Sequence, residues 1–332
     1  METRNTRRSL HLPEEIIEEI LSRLAVKSVL RLRCVLKSWR SLIDSERFIK
    51  THLQNSLKDT AFSHHRLIPY YSLTLSGYRE LFYIVGCCNG LVCCIIHELG
   101  RFFLWNPATR ISKELPKIEN VDRLLSTYGF GWDESTGVYK VFVLFYPSSR
   151  GSKRMGKVYS SNTNSWKTVE RCDFLRVHGK GHFVNGKLHW LREEKNVREI
   201  VTFDLKKEEF GLMKLPYESI SVRLGVNEGR LITTCENKDE FDIWVMEQDS
   251  SWVKVKATDV VVYEPSSECI LLQDLLCTSH ENSILIFGRA YKVLRGSTLK
   301  LYDRVYHKKG EAYSPPHLYV QTLVSPVLLS SS

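Results

Sequence analysis

The stretch KVYSSNTNSWKTVE, residues 157–170, sets one aromatic residue, Tyr159, seven positions ahead of another, Trp166, with a short polar turn between them. Two strands joined at such a turn form a β-hairpin that brings both ends onto the same neighbour. The arrangement recurs in VTFDLKKEEFGLMKLP (201–216) through Phe203 and Phe210, and in DIWVMEQDSSWVKV (242–255) with Val245 in the first aromatic's place and Trp252 in the second's. FFLWNPATRISKELP (102–116) and LKLYDRVYHKKGEA (299–312) are looser copies. Aligned on Trp105, Tyr159, Phe203, Val245 and Tyr302, the five lie roughly 40 to 60 residues apart, the spacing of a repeat architecture.

A second turn signal stands ahead of each copy: Asn89-Gly90, Thr136-Gly137, Asn185-Gly186, Glu228-Gly229 and, more weakly, Glu281-Asn282-Ser283. Each unit therefore reads as two hairpins, four strands in all, which is the sequence signature of a β-propeller blade. Five units are visible, and residues 61–78 with 311–325 could supply a sixth by pairing the two ends of the ring. The expectation is an all-β propeller of about six blades, with five or seven as variants. A β-sandwich is the alternative, since short strands with regular turns also fill two stacked sheets.

The chain has 332 residues, 43% of them hydrophobic and 11% aromatic, enough to bury a sizeable core. No apolar leader opens METRNTRRSLH, and the longest apolar runs fall far short of the roughly 20 residues that span a bilayer, so an intracellular protein of the cytoplasm or nucleus, without membrane contact, is expected. Nine cysteines, an odd number unevenly spread, fit reduced thiols rather than a disulfide framework. The net charge of +9 is scattered along the chain without a basic block, which argues against nucleic acid as the partner.

The first sixty residues follow another period. Ile16, Ile17, Ile20, Leu21 and Leu24 share one stripe of a helix that starts at Pro13, and Glu14, Glu15, Glu18 and Glu19 fill its first turns, where carboxylates suit the helix dipole. A second helix would carry Val29, Leu30, Leu32 and Leu36, and a third Trp39, Leu42 and Ile43. Three such short helices bury little area alone, so they lean either on a partner or on the remainder of the chain as an N-terminal cap.

The ordered pattern Leu12-Pro13, Ile16, Ile20-Leu21, Arg23-Leu24, Lys27-Ser28, RLRCVLKSWRSLI (31–43) and Phe48 resembles an F-box of the plant type. The resemblance implies a helical module that docks on the Skp adaptor of Skp-cullin-F-box ubiquitin ligases, through Leu12, Pro13, Ile16, Ile20, Leu21, Leu24, Val29, Leu32, Val35 and Trp39. Ala25, Leu36 and Ser45-Glu46 depart from residues common in the family. The stretches GCCNGLVCC (86–94), LWNPATR (104–110), YGFGWDESTGVYKV (128–141), FVNGKLHWL (183–191) and IVTFDL (200–205) are similar to the F-box-associated domain of such proteins. That domain is often described as kelch-like, although the Gly-Gly doublets of true kelch repeats are absent from this chain.

Two groups invite a reading as metal or redox sites. Cys87, Cys88, Cys93 and Cys94 flank Asn89-Gly90, and a two-residue hairpin loop there pairs Cys88 with Leu91, Cys87 with Val92 and Gly86 with Cys93. Cys88 and Cys93 then share one face and Cys87 and Cys94 the other, so four ligands do not converge on a zinc ion. His182 and His189 fall opposite each other across Asn185-Gly186, but no third ligand accompanies them. No GxSxG, HExxH or P-loop pattern occurs, so no catalytic residue, metal or cofactor is expected.

The chain accordingly divides into a disordered 1–10, an F-box at 11–55, a linker with first strands at 56–79, the propeller at 80–325 and a tail at 326–332. The expected function is that of a non-catalytic substrate receptor: the helices bind the Skp adaptor, and through it cullin and RING subunits, while the propeller binds a target protein for ubiquitination and proteasomal degradation. Loop and turn residues Arg123, Tyr128, Trp132, Arg150, Arg192, Arg198, Arg289 and Arg295 are the candidates for target contact. An interaction scaffold without ligase duty and a carbohydrate-binding or hydrolytic propeller are the competing readings.

Overall fold

A computed structural model describes residues 12–58, 64–68, 82–96, 99–119, 121–147, 154–169, 172, 176–177, 179–194, 197–217, 222–227, 229–237, 240–248, 250–255, 275–276, 291–295, 298–302 and 317–327. It opens with four helices: α1 (Glu14–Ser22), α2 (Val26–Leu32), α3 (Lys37–Ile43) and α4 (Glu46–Lys58). The sequence pattern predicts three. Leu36, expected in the second helix, is instead the extended residue that caps α3. The fourth escapes periodicity because two of its three buried positions, His52 and Ser56, are polar.

Strand β1 (His65–Ile68) precedes the first blade, which comprises β2 (Tyr83–Cys88), β3 (Leu91–Ile96), β4 (Arg101–Asn106) and β5 (Ile111–Glu114). The second holds β6 (Val121–Asp133), β7 (Val138–Pro147), β8 (Met155–Ser160) and β9 (Ser165–Val169), joined on its free edge by β10 (Gly179–Lys180), parallel to β6. The third runs through β11 (His182–Val184), β12 (Lys187–Glu194), β13 (Val197–Asp204) and β14 (Glu209–Lys214). The fourth has β15 (Val222–Asn227), β16 (Arg230–Asn237), β17 (Glu240–Met246) and β18 (Trp252–Val255), with β19 (Leu275–Leu276) parallel to β15. A hairpin of β20 (Tyr291–Arg295) and β21 (Thr298–Tyr302) follows, and β22 (His317–Val320) returns to pair with β1.

The described residues thus build a β-propeller with four blades of four or five strands, not six. The hairpin anticipated as a fifth unit and the joined ends anticipated as a sixth are each two-stranded there. The pairing of the ends is itself present, with His65 opposite Val320. Two of the recurring seven-residue pairs lie directly across a ladder, Tyr159 with Trp166 and Phe203 with Phe210. The third is off by one: Val245 faces Val253, and Trp252 faces Met246.

Neighbouring blades pack face to face through apolar clusters. Val85, Cys93 and Leu104 of the first meet Phe130, Val141 and Tyr159 of the second. Phe142 and Val158 of the second meet Trp190 and Phe203 of the third. Val184 and Ile200 of the third meet Leu224 and Met246 of the fourth. The motif YGFGWD shows how period-two alternation serves both sides of one strand. Phe130, with Tyr128 and Trp132 beside it, faces the first blade, while Gly129 and Gly131 let the third blade close in. A Cβ at Gly131 would stand 2.3 Å from the Phe183 ring.

The short turns of the first three blades gather at one end of the propeller. Tyr139, just after the second blade's first turn, hydrogen-bonds the Asn89 side chain in the first blade's. Lys140 donates to the Leu205 carbonyl and pairs with Glu208 in a turn of the third, where Lys167 also reaches Glu208. Three of these turns share one design: Asn106, Asp133 and Asp204 each cap the next backbone N–H groups with a side-chain oxygen, and a residue four positions on, Arg110, Gly137 or Glu208, has a positive φ.

Candidate functional site

The helical module has an inside and an outside. Leu21, Val26, Val29, Ile43 and Phe48 form its core, with Leu24, Leu32 and Trp39 packed against them in partial burial. Leu12, Ile16 and Ile20 of the first helix face outward at 55%, 43% and 49% exposure, beside an exposed Pro13. Val35 and Leu36, between α2 and α3, are also exposed. Of the ten residues expected at the adaptor, the structure therefore presents Leu12, Pro13, Ile16, Ile20 and Val35 to solvent. Leu21 and Val29 turn inward, at 2% and 0% exposure, and serve the module's own core.

Apolar side chains left in water on a folded surface mark a binding face, and here they sit on helices whose opposite side is already satisfied. The basic residues nearby are partly occupied. Arg33 and Arg40 both pair with Asp44, Arg47 reaches Glu18 from α4, and Arg23 pairs with Glu19 at 2.6 Å.

The helices sit on the turn end of the propeller. Ala108, in the turn between β4 and β5, and Leu323 join the helical core, while Ile49 and Leu53 of α4 lie on the cluster between the first two blades. The expectation of a cap is met by one face of these helices, and the opposite face is left exposed.

The target-contact candidates scatter. Arg192 and Arg198 lie near the far ends of β12 and β13, where the ladder sets Arg192 opposite Glu199 and Glu193 opposite Arg198. Both arginines are bound in these ion pairs, Arg198 to Glu193 at 2.9 Å. Val197, between them in the hairpin, is 61% exposed. Tyr128 is partly buried, and its carbonyl accepts from Gly181 and from the Trp190 indole. The Trp132 ring lies tilted against Tyr139, 4.4 Å between ring centres, and belongs with the core. Arg150 and Arg289 lie outside the described residues, as do the side chains of Arg123 on β6 and Arg295 on β20.

The cysteine hairpin has the expected register, Cys88 opposite Leu91, Cys87 opposite Val92 and Gly86 opposite Cys93. Cys88 and Cys93 enter the cluster shared with the second blade, and Cys87 and Cys94 the one beneath β1 and β22. Burial pushes the Cys88, Cys93 and Cys94 thiols well up from their ordinary value, so they stay protonated and act as small apolar groups. His182 and His189 face each other as expected, and His189 donates Nδ1–H to the His182 carbonyl at 3.1 Å. Among the described residues no three His, Cys, Asp or Glu side chains are placed to hold a metal ion.

A helical docking module seated on a β-propeller is the class of protein that this fold and face define. Residues 9–51 match the F-box domain and residues 54–326 the F-box associated beta propeller domain. The chain belongs to the family of F-box proteins that carry this associated propeller. An F-box/kelch-repeat protein of Arabidopsis thaliana is 30% identical over 74% of this chain and 79% of its own length. An Arabidopsis F-box protein is 29% identical over 94% of this chain and 97% of its own. Among solved structures, virginiamycin B lyase of Staphylococcus aureus is 12% identical over 73% of this chain and 74% of its own, with a TM-score of 0.36, too low to carry weight.

Proposed function

We propose that this protein is a substrate-recognition subunit of a Skp-cullin-F-box ubiquitin ligase, with the helices bound to the Skp adaptor and the propeller bound to a target protein. The observation that carries this reading is the outward apolar set Leu12, Ile16, Ile20, Val35 and Leu36 on a module whose core is otherwise closed. The receptor needs no nucleophile of its own. It raises the effective concentration of target lysines near a ubiquitin-charged enzyme held by the cullin and RING subunits, and proximity alone supplies a large part of the rate.

The target face in this reading is the propeller end remote from the helices, since the turn end is already covered. The hairpin tip with exposed Val197 and the balanced pairs Arg192–Glu199 and Arg198–Glu193 offers an apolar anchor inside a charged rim, a common pattern for a recognition surface. Among the described residues no helix is long and apolar enough to cross a membrane.

The test is adaptor binding by the purified chain. Replacing Leu12 and Pro13 by alanine, or Ile16 and Ile20 by glutamate, is expected to weaken binding about 100-fold or more while the propeller's melting transition stays in place. A wild-type chain that ignores the adaptor, or variants that bind it unchanged, would overturn the assignment.

A further inference from the structure

The segment after β22 does not trail away. Gln321 donates its backbone N–H to the His64 carbonyl at 2.8 Å, and the Thr322 hydroxyl donates to the Asn89 carbonyl in the first blade's Asn-Gly turn at 3.1 Å. The next two side chains then part company. Leu323 enters the core of the helical module beside Leu21, Val29 and Phe48, whereas Val324 enters the propeller cluster with Leu91, Leu104 and Tyr139. One short extended segment is thus shared between the two bodies, one residue to each.

Asn106 fixes that division. Its side chain is fully buried, and its amide Nδ2 donates to the carbonyls of Thr322, at 2.9 Å, and Val324, at 2.7 Å, the two residues that flank Leu323. Its Oδ1 meanwhile accepts from Ala108 and Thr109, capping the turn on which the helices rest. Asp133 and Asp204 perform the capping half of this task in equivalent turns with carboxylates alone. A carboxylate at 106 could cap equally well but has no hydrogen to give to two carbonyls; only the amide does both.

We propose that residues 321–324 are a clamp that holds the helical module at one orientation to the propeller, and that Asn106 is the positioning residue that sets it. Its purpose rests on the receptor reading: a fixed orientation decides which lysines come within reach of the ubiquitin-charged enzyme, and a loose one spreads them. Its geometry stands without that reading. The α4 helix contributes to the same seam through Ile49 and Leu53, which pack on the propeller cluster that Val324 enters.

Two variants test it, one from each side of the seam. Asn106→Asp keeps the turn cap and removes both donors; Leu323→Ala empties the knob in the helical core without touching a blade. In a ligase reconstituted with adaptor, cullin and RING subunits, the lysines of this chain that become self-ubiquitinated are mapped by mass spectrometry. The wild type is expected to concentrate modification on a few lysines, and both variants to spread it over at least about twice as many sites, with adaptor affinity within about threefold. Hydrogen exchange of the free chain should show 321–327 and α4 opening together about tenfold more often, with β12 and β13 unchanged.

An unchanged lysine map together with unchanged exchange in both variants overturns the clamp. Should Asn106→Asp fail to fold, Leu323→Ala decides alone. If the wild-type chain does not bind the adaptor, the receptor reading falls, while the exchange experiment still settles whether the clamp exists.

Discussion

Asn89-Gly90 and Asn185-Gly186 are the same dipeptide in the same turn of the first and third blades, with nearly the same backbone: φ is 50° and 79° in one, 48° and 73° in the other. Their surroundings differ completely. A Cβ on Gly186 would meet nothing within 4 Å, whereas one on Gly90 would stand 2.1 Å from the Thr322 hydroxyl and 2.7 Å from the Val320 carbonyl. Local sequence chose the turn in both cases, because Asn and Gly tolerate the left-handed region that a two-residue hairpin loop needs. What the turn does afterwards was decided by a segment far away in the chain.

Substitution can break the likeness. Gly90→Ala combines a strained φ with a collision against backbone and should destabilise the protein by about 3 kcal/mol, against about 1 kcal/mol for Gly186→Ala, where only the φ matters. Denaturant unfolding of the two variants measures the difference. Adding Thr322→Ala to Gly90→Ala should recover part of the loss but not all, since the Val320 carbonyl remains. Equal effects at the two glycines would mean that the segment does not rest on the first turn.

Acid should expose an effect of similar size, shared between the third blade and the helical module. Burial lowers His189 in the third blade to about 4, and burial likewise lowers His52 in α4, where its Nε2–H is given to the Leu24 carbonyl. As pH falls from 6.5 to 4, the unfolded chain takes up a proton at His189 that the folded chain refuses, so stability is full above pH 6.5 and declines below it. The slope is about 1.4 kcal/mol per pH unit, which integrates to roughly 3 kcal/mol for complete burial and less with any relaxation. Melting curves across this window should flatten in His189→Asn, with a residual slope left by His52.

Thiol chemistry separates the regions without altering stability. Cys34 is exposed in the helical module, whereas Cys88, Cys93 and Cys94 are buried in the first blade. An alkylating reagent should modify the exposed Cys34 first and reach the three buried thiols only as the blade unfolds. Mass spectrometry of the partly labelled protein reads this directly, and early modification of Cys93 would show that the blade opens locally.

Much of this arrangement was legible beforehand, and the reasons are local. The hairpin registers at Cys88 and His182 follow from two-residue turns, which leave no freedom in the pairing. The apolar stripe of the first helix was legible as a pattern, but which of its residues face in was not: Ile20 and Leu21 are adjacent in sequence, and only the core behind them sends one out and the other in. Arg192 and Arg198 looked like free recognition residues, although the hairpin register would have set Glu199 and Glu193 across from them. α4 and the role of Asn106 were invisible, because a buried His, Ser or Asn carries no apolar signal and its partners lie in other parts of the chain. The blade count failed for a related reason: repeats mark hairpins, and a hairpin is half a blade until its neighbours pair with it.

The sharing of Leu323 and Val324 between helices and propeller also sets an order for folding. During synthesis Leu21 and Val29 leave the ribosome long before Leu323, so the helical core that they begin cannot be completed until the segment that follows β22 has been made. Contacts of such long sequence separation form late. The last step in building this molecule is therefore the one that joins its two halves, and a product arrested before Thr322 would carry the outward-facing helices without the hold that orients them.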